Sequence, residues 1–141
     1  SARSRGPSLF GASRRVRAVV RAGRVGAARG AIHVDEDTVS SLLSATERLL
    51  AQLLERNEVA AEDIVSAFFT VTDDLRSAFP AEAARRMGLG RVPLLCAQEI
   101  PVEGSMRGVI RVLLQFHTPR GPAEVNHVYL DGAETLRDDL G

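Results

Sequence analysis

The feature that most limits what this chain can fold into is a leucine stripe lying between Val39 and Arg56. Leu42, Leu43, Thr46, Leu49, Leu50, Leu53 and Leu54 recur at three- and four-residue steps, the spacing of one face of an amphipathic α-helix. Asp35-Glu36-Asp37-Thr38 precedes it, placing acids and a hydroxyl where they suit the positive end of the helix dipole. Asn57 is a reasonable stop. Such a stripe is stable only when another layer covers it, and the rest of the chain supplies that layer as strands. Val25–Ile32, Ile64–Val71, Val92–Glu99, Arg107–His117 and His127–Leu130 are rich in β-branched and apolar residues. A second, shorter helix is expected from Phe79 to Gly88, with proline at its start and glycine at its end. The order β-α-β-α-β-β-β predicts an α+β (mixed α/β) single domain with both helices packed on one mixed sheet. No internal repeat is visible.

The chain's 141 residues suffice for one core and not for two. An apolar content of 45% and a charged content of 26% are those of an ordinary globular protein. No run of about 20 uninterrupted apolar residues is present, so no membrane span is expected. A single cysteine excludes an internal disulfide framework and fits a reducing, cytoplasmic compartment. His33, His117, His127 and Cys96 show no metal-ligand spacing, and no metal is expected.

The net charge of zero hides an asymmetry. Every basic residue is arginine, and residues 1–29 hold eight of them with no acid, which leaves the remainder at −8. Residues 1–23, rich in Arg, Ser and Gly, read as a disordered basic arm, and residues 24–141 as the folded domain. Such an arm suits a targeting peptide, a nucleic-acid-binding tail or an extension without a function. Only Phe10 could stack on a base there, and no nucleic-acid or membrane partner is expected.

Arg111 is the residue most in need of an explanation. It stands in Arg107-Gly108-Val109-Ile110-Arg111-Val112-Leu113-Leu114, where a guanidinium among apolar neighbours requires a partner. Pro93-Leu94-Leu95-Cys96-Ala97-Gln98-Glu99 ends a second apolar strand in a carboxylate. If these two strands are neighbours, Arg111 and Glu99 form either a structural ion pair or a preorganised pocket for a small anion. Arg29 and Arg137 also sit in or beside β-like segments, whereas Arg48 and Arg56 fall on the solvent face of the long helix. Cys96 alone reads as a small core residue, because no histidine lies nearby in sequence to activate it. The three histidines read as surface or capping groups, and Tyr129 as a core or edge aromatic. The residues suggest an anion pocket without an obvious general base.

Arg29-Gly30-Ala31, Thr72-Asp73-Asp74-Leu75 with Phe79-Pro80-Ala81, Val92 to Glu99, Ile110-Arg111-Val112, and His127-Val128-Tyr129-Leu130 followed by Leu136-Arg137 occur in this order. In these pieces the chain, from about Val25 to Leu140, resembles the AroH-class chorismate mutases. The resemblance implies a pseudo-α/β-barrel homotrimer with active sites at subunit interfaces. It implies an isomerase that turns chorismate into prephenate by a pericyclic rearrangement, in aromatic amino acid biosynthesis, with no cofactor. By matched position it implies that Arg111 donates to the ether oxygen as the C–O bond breaks. Glu99 accepts from the substrate hydroxyl, with Leu94, Leu95 and Cys96 beside it. Arg29 and Tyr129 hold a carboxylate and favour the compact conformer. Phe79, Ala81 and Arg85 form a wall across a subunit boundary, and Arg137 helps capture the dianion. Asp73, Glu82, Leu95 and Asn126 depart from the family pattern. The rival readings are a non-catalytic trimeric anion-binding protein, an imine-deaminase-like trimer, and a nucleic-acid-associated protein acting through the arm.

Overall fold

Nine consecutive residues of the first strand, β1 (Val25–His33), run antiparallel to β4 (Val109–His117) without a break in register, from Val25↔His117 to His33↔Val109. This pair is the spine of the computed structural model, which describes residues 24–140 and side chains as far as Arg137. The remaining elements are α1 (Val39–Asn57), β2 (Ile64–Val71), α2 (Pro80–Arg86), β3 (Leu94–Gln98) and β5 (Val128–Leu130). Single 3-10 turns lie at Ala61–Asp63 and Pro122–Glu124, and a longer 3-10 segment closes the chain at Ala133–Leu140. The order of helices and strands is the one expected. The basic arm expected over residues 1–23 lies outside the described residues.

The five strands form one mixed sheet in the order β3-β2-β4-β1-β5. β2 is antiparallel to β4, β3 is parallel to β2, and β5 is parallel to β1. The expectation that the Glu99 and Arg111 strands are direct neighbours is corrected here, because β2 lies between β3 and β4. Glu99 itself falls just past β3, where its N–H donates to Val71 O at 2.8 Å and prolongs the ladder by one step.

Side chains alternate between the two faces of a strand, and burial follows that alternation. Ala28, Ile32, Ala67, Phe69, Ile110, Val112, Leu114 and Phe116 are buried in one core with Leu42, Leu49, Leu50 and Leu53 of α1 and Ala81, Ala83 and Ala84 of α2. Both helices therefore cover the same face. Burying each of those leucines contributes about 1.5–3 kcal/mol. Gly30 permits the close approach of α1: a Cβ there would lie 2.9 Å from Leu53 Cδ1 and 3.1 Å from Leu49 Cδ1. Among the described residues the opposite face is covered only at one end, where Ala31, Val109, Tyr129 and Ala133 make a small second cluster with Met106 and Leu136.

The ends of α1 differ in detail from expectation. Thr38 is the N-cap, its Oγ1 accepting from Ser41 N–H at 3.1 Å. Asp37 instead accepts from Arg76 N–H, Ser77 N–H and the Ser77 hydroxyl, and so clasps the loop before α2. The Ser77 hydroxyl, followed by the Arg76 N–H, holds its carboxyl below the usual range. At the other end Asn57 remains helical and Glu58 adopts the left-handed conformation, with φ of 54°. Among the described residues no helix is long and apolar enough to cross a membrane.

Candidate active site

The uncovered face of the sheet brings Arg29, Glu99, Arg111 and Tyr129 to the rim of one cavity of about 310 Å³. Four strands and the residue just past β3 contribute. Arg111 projects from the middle of β4, where it pairs with Ala31 of β1 on one side and Thr70 of β2 on the other. Thr70, Phe68 and Leu113 complete the same face. Tyr129 of β5 lies opposite Ala31 and is buried against it.

Glu99 and Arg111 meet across the intervening strand. The Arg111 Nε stands 3.6 Å from Glu99 Oε2, and Thr70 Oγ1 donates to the same oxygen at 2.6 Å. The threonine thus fills the gap that the extra strand creates. One Glu99 oxygen is held from two sides. The second Glu99 oxygen is free of any such described bond. The two side chains are 38% and 33% exposed, so within one chain the guanidinium is half-buried rather than enclosed in a dry cleft. In partly hydrated surroundings a pair of this kind is worth little as a structural bridge, and its geometry suits ligand binding better.

Arg29 is exposed, while its own N–H donates to His127 Nδ1 at 2.9 Å. Burial, then the nearby guanidinium groups of Arg29 and Arg137, push the His127 ring below its ordinary range. On the far side of the Arg111 strand, Arg107 pairs with Asp73 at 2.7 Å and with Asp74 at 3.8 Å. Asp73, one of the departures from the family pattern, therefore has a local ionic partner. The other carboxylate of this turn, Asp74, accepts from Gly108 N–H at 3.3 Å. Burial raises its pKa, but bonds from Thr72 and Gly108 and the charge of Arg107 outweigh that and leave it lowered.

Other expected site residues lie elsewhere in the chain. Cys96 pairs with Phe69 and shares its core-facing side of the sheet, so it does not stand beside Glu99. With Phe79, it lines a separate cavity of about 520 Å³. Ala81 is buried in the main core of the chain. Leu94 packs against that core. Leu95 lies on the open face beside Phe68 and is 54% exposed. Arg85 is exposed on α2, and Arg137 is exposed in the terminal 3-10 segment. The functional side chain missed in the sequence is Thr70. A lone hydroxyl in the apolar run Ala67-Phe68-Phe69-Thr70-Val71 was the available signal. Among the described residues no three His, Cys, Asp or Glu side chains come together as a metal-ligand set.

What the open face can do chemically is bind a small anion between Arg29 and Arg111 while Glu99 accepts a hydroxyl proton in a hydrogen bond. Among the described residues no cysteine, serine, lysine or histidine lines this cavity. Comparison with known proteins narrows this chemistry. The family described as chorismate mutase type I matches residues 25–140. The chain is 52% identical over 113 residues to the chorismate mutase AroH of Thermus thermophilus, covering 79% of this chain and 93% of that protein. It is 38% identical over 113 residues to the chorismate mutase AroH of Bacillus subtilis (strain 168), covering 79% and 89%. A solved chorismate mutase from Clostridium thermocellum superposes with a TM-score of 0.76 at 42% identity, covering 77% of this chain and 97% of that one.

Proposed function

The chain belongs to the chorismate mutase type I family, and we propose that Arg111, Glu99, Arg29 and Tyr129 perform its reaction in interface clefts of a homotrimer. The reaction is the isomerisation of chorismate to prephenate. It breaks one C–O bond and forms one C–C bond within a single molecule, with no proton transferred to the enzyme. The protein's contribution is then to hold a compact conformer and to meet charge as it develops.

Arg111 donates to the ether oxygen, which gains negative charge only as the C–O bond lengthens. A fixed donor aimed at such charge is worth about 2.7–4 kcal/mol. Glu99 accepts from the substrate hydroxyl, held for that purpose by Thr70. Arg29 and Tyr129 take a carboxylate. The observation that carries this reading is the meeting of Arg111, Glu99 and Thr70 at one cavity on the uncovered sheet face.

Assembly is supported by the same face. Phe68 and Leu95 are 46% and 54% exposed there, beside a half-exposed Arg111. A cluster of large apolar side chains around an incomplete site calls for a second chain to cover it. Phe79, Arg85 and the Cys96 side of β3 form the wall that a neighbouring chain supplies, and Arg137 closes over the dianion. An unpaired, half-buried Cys96 supports a reducing, cytoplasmic setting.

The test is chorismate consumption, followed by its ultraviolet absorbance, in the wild type and in Arg111→Ala. Wild-type protein forms prephenate, and the variant loses turnover while keeping its fold and assembly. Near-normal prephenate formation by Arg111→Ala contradicts the assignment.

A further inference from the structure

Three residues at the end of α1 and the start of β5 form a connected path to the site that the reaction itself does not require. Asn57, the last residue of α1, is 2% exposed. Its Nδ2 donates to Asn126 O at 2.9 Å and its Oδ1 accepts from Asn126 N–H at 2.7 Å. Both main-chain groups of Asn126 are therefore fixed from the helix. His127 follows directly, and its Nδ1 accepts the Arg29 N–H at 2.9 Å. The ladder between β1 and β5 begins only at Gly30↔Val128. Arg29 thus lies one step outside it, and the imidazole takes the place of the missing strand acceptor.

We propose that His127 is a positioning residue for the mutase reaction, fixing the main chain from which the Arg29 guanidinium reaches the substrate. The inference rests on the reading of Arg29 as a carboxylate-binding group. An edge amide left without an acceptor is free to turn to water, and a strand end that frays carries its side chain with it. The Asn57 clamp and the His127 bond together prevent that.

The bond dictates a protonation state. Nδ1 accepts, so the neutral ring carries its proton on Nε2. A protonated ring would present N–H to N–H, and the bond would be lost. The groups facing His127 oppose that protonation: Arg29 from β1 and Arg137 from the terminal 3-10 segment. Arg24 and Arg120 line the adjoining groove with His127, Arg120 being paired with Glu58 at 3.2 Å, and among the described residues no carboxylate lines the groove itself. The ring, already lowered by burial and by the Arg29 and Arg137 guanidinium groups, charges only below its ordinary 6.5. Arg29 is released on that acid limb.

The experiment compares wild type, His127→Ala, His127→Asn and Arg29→Ala across pH in the chorismate assay, with folding checked by circular dichroism. Asparagine can present its Oδ1 where Nδ1 stood but cannot be protonated. His127→Ala is expected to lower kcat/KM roughly tenfold, chiefly through KM, for loss of one such bond. His127→Asn recovers most of that loss, and the ratio of its kcat/KM to wild type rises as pH falls through the lowered pKa of the His127 ring. A ratio that stays flat with pH, or an Asn variant as impaired as Ala, overturns the proposal. If His127→Ala does not fold, the wild-type to Asn ratio still decides. If Arg29→Ala leaves kcat/KM unchanged, the reading of Arg29 fails instead. If Arg29→Ala is impaired and His127→Ala is not, the positioning role alone fails.

Discussion

Thr70 shows how much of this site rests on one hydroxyl. Its 2.6 Å bond to Glu99 Oε2 is shorter than the 3.6 Å approach of Arg111 Nε to the same oxygen. The threonine, more than the arginine, sets where the carboxylate sits in the absence of substrate. Thr70→Val keeps the shape and removes the donor. It is expected to lower kcat/KM roughly five- to tenfold, corresponding to about 1–1.5 kcal/mol for one such bond. Steady-state kinetics with a thermal melt checks this, since the swap has little reason to disturb a half-buried strand position. Arg111 and Glu99 were legible in the sequence because a charge inside an apolar run is anomalous by itself. Thr70 was not, because threonine is an ordinary strand residue and its importance comes only from standing opposite Arg111 across the β2–β4 ladder.

At the scale of elements, α1 and the strand runs were legible because periodicity is local. The leucine stripe appears in the structure as the buried face of α1, with Leu42, Leu49, Leu50 and Leu53 fully enclosed. Sheet order was not legible, since pairing is decided by long-range contacts that spacing along the chain does not encode. That is why the strands of Glu99 and Arg111, separated by β2, were expected to be adjacent. Cys96, set beside Glu99 only by the family resemblance, is turned to the core by alternation and the Phe69↔Cys96 register, as its residue type alone suggests. Gly30 links the two scales, since it faces α1 between two site-facing residues. Gly30→Ala would place a methyl against Leu53, Leu49 and Val112, with its closest approach 2.9 Å. Overpacking of this kind costs about 1–3 kcal/mol. A denaturant titration should show the midpoint lowered by that cost divided by the slope, with the slope itself unchanged.

Among the described residues, one sheet face is covered by two helices and the other is left largely open, with its apolar residues gathered around the site. A chain that stayed single would expose Phe68, Leu95 and Leu113 to water next to a half-enclosed guanidinium. In the proposed homotrimer a closed ring of three copies would cover those surfaces and complete each cleft. Sedimentation should give a wild-type mass three times the 15.2 kDa chain. Phe68→Asp, which places a charge in that surface, should shift the mass toward a single chain and reduce activity with it. A wild-type protein that sediments as a single chain and turns over chorismate normally would refute the interface cleft.

In the proposed reaction the Arg111 guanidinium acts on charge that exists only during bond exchange. The most direct measurement is the separate determination of kcat and KM for Arg111→Ala, with assembly confirmed in the same sample. A transition-state role predicts kcat lowered by about 10²–10³ or more, with KM changed far less. An unchanged kcat with only a raised KM would mean that Arg111 merely binds substrate, and would contradict the account.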